Sequence, residues 1–426
     1  MYDVIVIGAG LAGLSAAHFL KQKGADLLVL EKEPELGGRV RTRTYPDRAN
    51  LAYEQGAQFF SRHFSTVFML AKQLRVPVKR LPFCLQMQVA GEWRQACYDR
   101  WSVFFQIPGV PWRVRHQLFQ LVRSASRGGG FPAGNKPVSD MVLHQFAARF
   151  DPTVYEYVIA PFWQTMFFSD PTHQSSRHFL LHFGSPASQR IYRPEGGMTR
   201  FIDSLAEGLS IWRETEVKRL ESLGASVLVE AKNRHGFQQL SARYVLLTVP
   251  APQVPSMLAG NPFASEIMQL IRSVRYSSTA IVSLHADREV DSSVFGFSIP
   301  PKYNSILSGG VIEHRLIWNV MLTDRAYRQM REMTDEQMVQ QVRNEMDRLF
   351  PDRKKRFQLI DLYRWPTAIP CFAPGDVERM EHLSRHLKDS RSRIQLAGDY
   401  LQLGCTEGAV RSGIQAAKSV FQMIER

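Results

Sequence analysis

The run Val-Ile-Val-Ile-Gly-Ala-Gly-Leu-Ala-Gly at residues 4–13, followed by Leu-Val-Leu-Glu-Lys at residues 28–32, decides the fold class of this chain. An apolar strand, a glycine-rich turn, a helix and a second strand that ends on an acid form a dinucleotide-binding βαβ unit. Gly8 permits the tight turn after the first strand, Gly10 lets backbone N–H groups approach a pyrophosphate, and Gly13 lets the helix pack closely on the sheet. The run therefore predicts an α/β fold that binds a dinucleotide.

The crossover helix of this unit is predicted over residues 15–23, with Gly24 as its end and the second strand over residues 26–30. The N-terminus of the helix faces the phosphates. The carboxylate of Glu31 can accept hydrogen bonds from ribose hydroxyls, whereas a basic residue there would indicate a ribose phosphate. The cofactor-binding residues predicted from this unit are Gly8, Gly10, Leu11, Ala12, Gly13, Glu31 and Lys32.

A second glycine-rich run, Pro-Glu-Leu-Gly-Gly-Arg-Val-Arg-Thr at residues 34–42, decides between nicotinamide and flavin. Gly37 and Gly38 supply a second close backbone approach, and Arg39 is a fixed positive charge suited to the same pyrophosphate. The run resembles the second signature of the flavin-containing amine oxidoreductase superfamily, which includes amine oxidases, protoporphyrinogen oxidases and carotenoid desaturases. The resemblance implies FAD as the cofactor.

Further segments extend the resemblance over most of the chain. Residues 54–58 (Glu-Gln-Gly-Ala-Gln) match the place where this superfamily lays backbone against the flavin ring, and residues 192–198 (Tyr-Arg-Pro-Glu-Gly-Gly-Met) match an internal turn. A helix over residues 201–209 and a strand near residues 216–218 follow this turn. The resemblance implies that Val217, on this strand, packs against the adenine.

The strongest match covers residues 394–400 and 407–417. A strand that ends at Gly398 can set Asp399 against the ribitol or a phosphate. A helix that opens at Gly408 points its positive end at the pyrimidine edge of the flavin, where reduction places negative charge. The resemblance assigns to the cofactor site Gly38, Arg39, Gly56, Ala57, Gln58, Val217, Gly398, Asp399, Gly408, Ala409 and Val410.

Two interleaved domains are expected, because 426 residues exceed what one hydrophobic core usually supports and FAD motifs lie at both ends and in the middle. The fold class is α/β, α+β overall, with a Rossmann-like FAD-binding domain interleaved with a substrate domain of mixed sheet and helices. The FAD-binding domain is predicted from residues 1–60, 190–272 and 388–426. The substrate domain is predicted from residues 61–189, which read as mainly helical, and 273–387.

Local patterns place further elements in the substrate domain. Residues 276–320 alternate well enough to form strands, and residues 334–349 form an amphipathic helix that Pro351 stops. Thr334 caps this helix and Gln337 holds the capping-box position. Most of the aromatic residues between positions 59 and 168 are expected to be core.

The net charge of +13 is compatible with a nucleic acid, an anionic membrane face or an acidic substrate. Arginines are spread through residues 80–127, 315–356 and 379–393 without the clusters that nucleic-acid modules use, so we expect no nucleic acid. Near residues 104–123, basic and aromatic residues mix in a way that is compatible with contact at a membrane surface. A solvated basic face is the alternative.

The four cysteines show no C-x-x-C spacing, and neither they nor the histidines predict a metal site. The apolar N-terminal stretch carries Asp3 where a signal peptide has positive charge, and no stretch is long enough for a transmembrane helix. We therefore expect a metal-free protein of the reducing cytoplasm, with membrane contact only at its periphery. His173 and His178 are interpreted as structural.

The pocket beside the flavin departs from the amine oxidases of the superfamily. A flavin carries the hydride chemistry, so a side-chain base is not compulsory and no catalytic residue is predicted. Typical amine oxidases carry a lysine in the strand that corresponds to residues 274–284, and this chain has none there. The aromatic pair that binds the amine would fall near Ala368 and on Cys405, and neither is aromatic. No cysteine matches the site of covalent attachment, so we expect noncovalent FAD.

Two segments resemble other branches of the superfamily. Residues 363–375 are similar to the R-W-x-x-A-x-P segment of protoporphyrinogen oxidases and to a proline-rich turn of carotenoid desaturases. Residues 167–176 resemble a D-P-x-x-x-S stretch that these two groups share. Trp365 is predicted to pack against the flavin and joins the cofactor site. The candidates for the substrate pocket are Trp365, Cys405, Phe372 and Phe168.

The resemblance implies an FAD-dependent oxidoreductase that removes a hydride from an apolar, cyclic or polyunsaturated substrate, as protoporphyrinogen oxidases and desaturases do. Oxygen or another acceptor then reoxidises the flavin. A flavin amine or amino-acid oxidase is the first alternative, and a partner-binding protein of the GDP-dissociation-inhibitor type is the second. Glu31, Arg39 and Asp399 argue against the second, because a chain without FAD has little reason to keep them.

Overall fold

The secondary structure comes from a computed structural model that describes residues 1–45, 48–100, 102–128, 139–184, 189–260, 265–353, 356–389 and 392–425. The strands are β1 (Tyr2–Ile7), β2 (Leu27–Leu30), β3 (Thr42–Tyr45), β4 (Arg48–Glu54), β5 (Phe60–Ser61), β6 (Val78–Leu81), β7 (Cys84–Val89), β8 (Glu92–Cys97), β9 (Ile191–Pro194), β10 (Ile211–Trp212), β11 (Glu216–Ser222), β12 (Val227–Asn233), β13 (Gly236–Leu247), β14 (Arg275–Tyr276), β15 (Thr279–Ala286), β16 (Val294–Ser298), β17 (Leu307–Glu313), β18 (Ile317–Leu322), β19 (Phe357–Trp365), β20 (Pro370–Cys371) and β21 (Ile394–Leu396).

The helices lie between these strands, and six of them, α3 to α8, follow one another between β8 and β9. They are α1 (Leu11–Gln22), α2 (Ser65–Gln73), α3 (Val103–Gln106), α4 (Arg115–Gly128), α5 (Leu143–Ala147), α6 (Pro152–Val154), α7 (Ala160–Phe167), α8 (Ser176–Phe183), α9 (Thr199–Ala206), α10 (Val254–Met257), α11 (Ser265–Ser273), α12 (Asp324–Met330), α13 (Asp335–Leu349), α14 (Asp376–Asp389) and α15 (Thr406–Ile424). A π-helical turn covers Tyr155–Ile159.

One sheet carries the nucleotide-binding motif. Its strands run in the order β10-β2-β1-β13-β12-β11, and β21 also pairs with β13. β13 is long enough to serve both halves of the sheet. Its last residues pair in parallel with β1 and β21, and its first residues pair antiparallel with β12. Strands from both ends and the middle of the chain thus meet in one sheet, and the α/β fold predicted from the sequence is confirmed.

The first turn after β1 has the packing that its glycines predicted. α1 begins at Leu11, four residues earlier than expected, and Gly24 follows its end in a left-handed conformation. A Cβ atom on Gly13 would lie 1.9 Å from the carbonyl oxygen of Gly8, which is backbone and cannot move aside. Gly13 is therefore required because the helix lies against the strand that precedes it.

A second sheet faces the first across a cavity, with strands in the order β19-β15-β18-β17-β16-β7-β8. On β15 and β18, Val282 and Val320 face the helix α13 and belong to the core cluster there, whereas Ile281 and Met321 belong to a separate cluster on the opposite face. α13 begins at the capping box that the sequence predicted, because Thr334 and Gln337 bond to each other's backbone N–H groups. The two faces of this sheet thus serve the core and the cavity separately.

Strands β6, β7 and β8 lie in the segment 61–189, for which the sequence predicted mainly helices. β7 and β8 pair antiparallel, with Cys84 opposite Cys97, and a disulfide joins these two cysteines. This disulfide was not predicted from the sequence. Cys371 and Cys405 are free thiols. The spacing of 13 residues could not reveal the pairing without the hairpin.

The helical part of this segment buries most of its aromatic residues, as expected, around Trp163, Phe167 and Phe179. Phe105 and Trp112 are exceptions, because 65% and 79% of their surfaces are exposed. The side chains of Trp101 and Phe104 lie outside the described residues. Within the described part of the chain, none of the helices combines the length and apolarity that crossing a bilayer requires.

Candidate active site

A cavity of about 1030 Å³ runs from the turn between β1 and α1 to the inner face of the second sheet. Most of the residues that the sequence assigned to the cofactor line it, although they come from distant parts of the chain. These residues are Gly8, Gly10, Leu11, Ala12, Glu31, Lys32, Gly38, Arg39, Gly56, Ala57, Gln58, Val217, Trp365, Gly398, Asp399 and Ala409.

Three predicted cofactor residues do not line the cavity. Gly13 faces the sheet, as described above. Val410 is fully buried in the core between α1 and α15, and a Cβ atom on Gly408 would meet the backbone nitrogen of Leu403 at 3.1 Å. Both lie near the start of α15 at positions that pack against protein, and their contact with the cofactor stays a prediction. Their small or apolar side chains instead let α15 approach its neighbours.

The nucleotide end of the cavity is built from backbone. Gly10 occupies the N-cap position of α1, and no side chain caps the helix. The carboxylate of Glu31 is held by the backbone N–H groups of Ala9 at 2.6 Å and Glu33 at 2.9 Å. An uncapped helix N-terminus binds a pyrophosphate, and a fixed carboxylate beside it suits a ribose.

The two glycine-rich signatures are joined by an ion pair. The guanidinium of Arg39 donates to both carboxylate oxygens of Asp399 at 2.8 Å and to the carbonyl oxygen of Ala368 at 2.8 Å. The sequence predicted that Arg39 and Asp399 each face the cofactor separately. The structure shows that they line the cavity as a bidentate pair, which locks the N-terminal and C-terminal motifs together and fixes the guanidinium plane.

The segment 54–58, which is predicted to lie against the flavin ring, is held in place from two sides. A Cβ atom on Gly56 would lie 2.2 Å from the carbonyl oxygen of Arg39, so only glycine fits there. The carbonyl of Gln55 accepts from the indole N–H of Trp365 at 2.6 Å, and the Gln55 amide donates to Asp361 at 2.7 Å. Trp365 thus lines the cavity with its ring held by backbone, as a residue that packs against a flavin requires.

A buried ion cluster that the sequence did not predict supports the same segment. Arg193 donates to Glu313 at 2.6 Å and to the carbonyl of Gln58 at 2.7 Å, and its Nε lies 3.8 Å from Glu54. Glu54 accepts from the backbone N–H of Met198 at 2.8 Å. Burial raises the pKa of Glu54 to about 7, although Arg193 opposes this shift. These three charges come from three strands far apart in sequence, so no local pattern indicated the cluster.

The far end of the cavity is apolar. Its wall is a cluster of side chains from β15 to β18, the start of β7 and nearby turns, and we call this cluster the apolar wall. It consists of Phe59, Phe83, Leu85, Met166, Phe168, Ile281, Phe295, Val311, Met321 and Trp365. Arg364 also lines the cavity, and its guanidinium turns away to Asp335 and to the carbonyl of Met333.

The four residues predicted for the substrate pocket have different outcomes. Trp365, Cys405 and Phe168 line the cavity. Phe168 does so with a left-handed backbone (φ 64°) at the end of α7, a conformation that a bulky residue rarely adopts and that often marks a functional site. Phe372 does not line the cavity. It packs in the core against the ring of His178, because β20 carries it behind the turn at Gly404.

Two histidines one helical turn apart lie behind the cavity. His178 and His182 on α8 approach each other with Nε2 atoms 3.2 Å apart, and both contact the carbonyl oxygen of Leu403. Burial lowers the pKa of His178 to about 4 and holds that of His182 well below its ordinary value, so both are neutral. His182 lines the cavity, and the i, i+4 spacing of the pair is a sequence signal that was overlooked. Among the described residues no cluster could hold a metal ion.

The cavity fits FAD. A nucleotide can lie against the uncapped helix and the carboxylate of Glu31. The space beside Gly10 is open, because a Cβ atom there would meet only the carbonyl oxygen of Gly37, at 3.9 Å. At the start of α15, Thr406 lines the cavity with a buried hydroxyl for which the described residues offer no hydrogen-bond partner. Such a hydroxyl needs a partner, and the polar edge of a flavin supplies one.

Comparison with known proteins agrees with this fit. A sequence model of flavin-containing amine oxidoreductases matches residues 11–421. The flavin-dependent L-tryptophan oxidase RebO of Lentzea aerocolonigenes is 26% identical over 313 residues, which cover 66% of this chain and 64% of the relative. The chain thus spans less than two thirds of that enzyme.

Two solved structures share the fold over nearly the whole chain. A candidate protoporphyrinogen oxidase from Exiguobacterium sp. 255-15 superposes with a TM-score of 0.77 at 18% identity, covering 99% of both chains. Cyclohexylamine oxidase from Brevibacterium oxydans IH-35A superposes with a TM-score of 0.76 at 18% identity, covering 100% of both. At this identity the likeness shows a common fold and does not specify a substrate.

Proposed function

The chain belongs to the flavin-containing amine oxidoreductase family and is an FAD-dependent oxidoreductase, and from this premise we propose that it dehydrogenates an uncharged, apolar substrate. Cyclic and polyunsaturated molecules are the expected classes, as in the protoporphyrinogen oxidase and desaturase branches. Oxygen or another acceptor takes up the electrons afterwards.

The observation that carries this proposal is the composition of the apolar wall. Six of its residues, Phe83, Leu85, Ile281, Phe295, Val311 and Met321, come from one side of the second sheet and its entry turn. Nearly all of them are buried, and none carries a charge. A charged substrate group at this end would lose its hydration without gaining a counter-charge, which is strongly unfavourable.

The two ends of the cavity have different roles, because one holds the nucleotide and the other positions the substrate. When bound, FAD supplies an isoalloxazine ring that accepts the hydride. The α1 N-terminus and Glu31 hold the nucleotide, and the pair of Arg39 and Asp399 fixes the turn beside it. Trp365 and the apolar wall exclude water from the ring and orient a flat or extended substrate against it.

The described titratable groups beside the substrate end argue against a strong side-chain base. Burial raises the pKa of the Cys405 thiol to about 12, so it stays protonated. His182 has a pKa far below its ordinary value because of burial and of the neighbouring His178, so it holds a proton poorly and acts as a hydrogen-bonding support for Leu403. We therefore assign to these residues positioning roles, and the proton lost with the hydride leaves through water.

An amine or amino-acid oxidase is the second candidate, because the tryptophan oxidase of Lentzea aerocolonigenes is similar over two thirds of this chain. An amino-acid substrate carries a carboxylate, and the guanidinium of Arg364, which could have paired with it, is engaged by Asp335. The positions of the amine-binding aromatic pair hold Ala368 and Cys405. Both observations make this candidate the weaker one.

Anaerobic reduction of the bound flavin tests the proposal. The purified holoprotein is mixed with an uncharged polyene, a cyclic diene, an uncharged porphyrinogen ester, a primary amine and L-tryptophan, and loss of flavin absorbance is recorded before oxygen is readmitted. We expect reduction by the uncharged compounds. Reduction by amines or amino acids alone would contradict the proposal. Acid precipitation of the same protein should release all FAD into solution, as noncovalent binding requires.

A further inference from the structure

The surface formed by α3, the turn after it and α4 is aromatic and basic. Phe105, Trp112 and Phe119 expose 65%, 79% and 48% of their surfaces, and Arg113 and Arg123 are exposed beside them. We call these five residues the α4 face. Isolated exposed aromatics are ordinary, whereas several within one short stretch of sequence put an unusual amount of apolar area in water.

The residues that anchor α4 in the fold are different from those of the α4 face. The opposite side of α4 carries Val114, Leu118, Leu121 and Ala125, which are buried in the core of the helical part. α4 is thereby anchored on α8. Because the anchoring side is separate, the rings of Phe105 and Trp112 stay exposed at the surface.

The sequence segment that forms this face carries charge of a single sign. Between Asp99 and Asp140 the sequence contains no aspartate or glutamate, and it contains the basic residues Arg100, Arg113, Arg115, Arg123, Arg127 and Lys136. The described acid that interacts with the face is Asp151, whose carboxylate is engaged by the backbone N–H and hydroxyl of Thr153. A partner that matches this surface must be anionic and must accept aromatic rings.

We propose that the α4 face docks the protein on an anionic phospholipid surface. Exposed Trp and Phe rings insert at the headgroup level, and arginines beside them pair with lipid phosphates, which is how an amphipathic helix lies in a membrane interface. Trp112 and Phe105 supply the insertion, and Arg113 and Arg123 supply the electrostatic attraction. A nucleic acid would use the arginines and would gain little from the rings, so it is the disfavoured partner.

Docking in this orientation places lipid on the outer side of α4, with α8 between α4 and the cavity. α8 carries His182 at the cavity and packs against α4. An apolar substrate dissolved in the bilayer would thus be held near the helical side of the cavity. The docking proposal rests on the surface alone and does not require the proposed substrate class to be correct.

Co-sedimentation of the FAD-loaded protein with phospholipid vesicles tests this docking. Vesicles of phosphatidylcholine with roughly 30% phosphatidylserine are compared with pure phosphatidylcholine at about 0.1 M salt. The variants are Arg113→Glu with Arg123→Glu, and Phe105→Ser with Trp112→Ser. The matched control is Phe237→Ser, which removes a ring that is 72% exposed on β13, far from α4 in sequence.

We expect binding to the anionic vesicles, a fall of more than about tenfold in the partition coefficient for either double variant, and no change for Phe237→Ser. Flavin absorbance and thermal unfolding should be the same in all four proteins, since every substituted side chain is exposed. No binding to anionic vesicles would overturn the proposal. Full binding of the Phe105→Ser, Trp112→Ser variant to anionic vesicles would also overturn it. So would binding of the wild-type protein to heparin as strong as its binding to vesicles and lost only in the arginine variant, because either result indicates a surface for polyanions in general.

Discussion

The two ends of the cavity are formed by different chemical groups, mainly backbone at one end and side chains at the other. At the nucleotide end, backbone N–H groups, an uncapped helix and a carboxylate fixed by Ala9 and Glu33 form the site. At the substrate end, side chains from one face of a sheet form it, and their backbones are occupied in the ladder. Backbone contacts recognise a group that every FAD enzyme binds. Side chains decide what lies against the flavin, so cofactor and substrate specificity can change independently in this fold.

The largest expected effect comes from the glycines of the nucleotide end. Gly13→Ala places a Cβ atom 1.9 Å from a backbone oxygen and should lower the free energy of unfolding by more than about 3 kcal/mol, with loss of FAD. Gly10→Ala meets only Gly37, at 3.9 Å, and should change stability by less than about 1 kcal/mol while weakening FAD binding. Urea unfolding measures the stability of the two variants, and FAD titration measures their affinity for the cofactor. Equal destabilisation by the two variants would contradict the claim that Gly13 is required for packing and Gly10 for FAD binding.

A charge in the apolar wall is the corresponding test at the substrate end. Phe59 lines the cavity and is half-buried, so Phe59→Arg brings a guanidinium next to the substrate. We expect kcat/KM for an uncharged substrate to fall about 100-fold, with unchanged FAD binding. Phe59→Leu is the matched control and should cost much less. If the two variants lose the same fraction of kcat/KM, then the volume of the side chain at position 59, and not its charge, determines activity toward the substrate.

The buried cluster between the two ends predicts a pH effect on stability. Because burial raises the pKa of Glu54 from 4.5 to about 7, the folded state holds a proton that the unfolded state releases. Stability from this group should therefore fall as the pH rises from about 4.5 to about 7. Glu54→Gln keeps an acceptor for Met198 and should flatten that part of the stability curve. An unchanged slope would show that Glu54 is ionised throughout.

The smallest effect is expected for the thiol that lines the cavity. Cys405 is protonated at neutral pH, and a buried thiol acts as a small apolar filler. Cys405→Ala should change the rate of flavin reduction by less than about threefold. A loss of more than about tenfold with intact FAD binding would show that the thiol takes part in the reaction.

The same contrast decides what could be predicted from the sequence. Gly8, Gly10, Glu31 and Arg39 act through local backbone geometry, and local geometry is written in contiguous motifs. The motifs did not show that Phe372, Gly408 and Val410 lie outside the cavity lining, because a motif gives position along the chain and leaves open which side of a helix or turn faces the cavity.

Features made by distant residues carried no local signal. The apolar wall needs the strand order of the second sheet, the disulfide of Cys84 with Cys97 needs the hairpin, and the pair of Arg39 with Asp399 needs both ends of the chain. The histidine pair on α8 was different, because its i, i+4 spacing was readable and was overlooked.

The most direct measurement of the central claim is the anaerobic rate of flavin reduction by a matched pair of compounds. One is an uncharged cyclic diene, and the other carries an amine on the same ring. The account predicts reduction by the diene at a rate at least about 100-fold above that of the amine, because the apolar wall offers no partner to a charge. Faster reduction by the amine would contradict it.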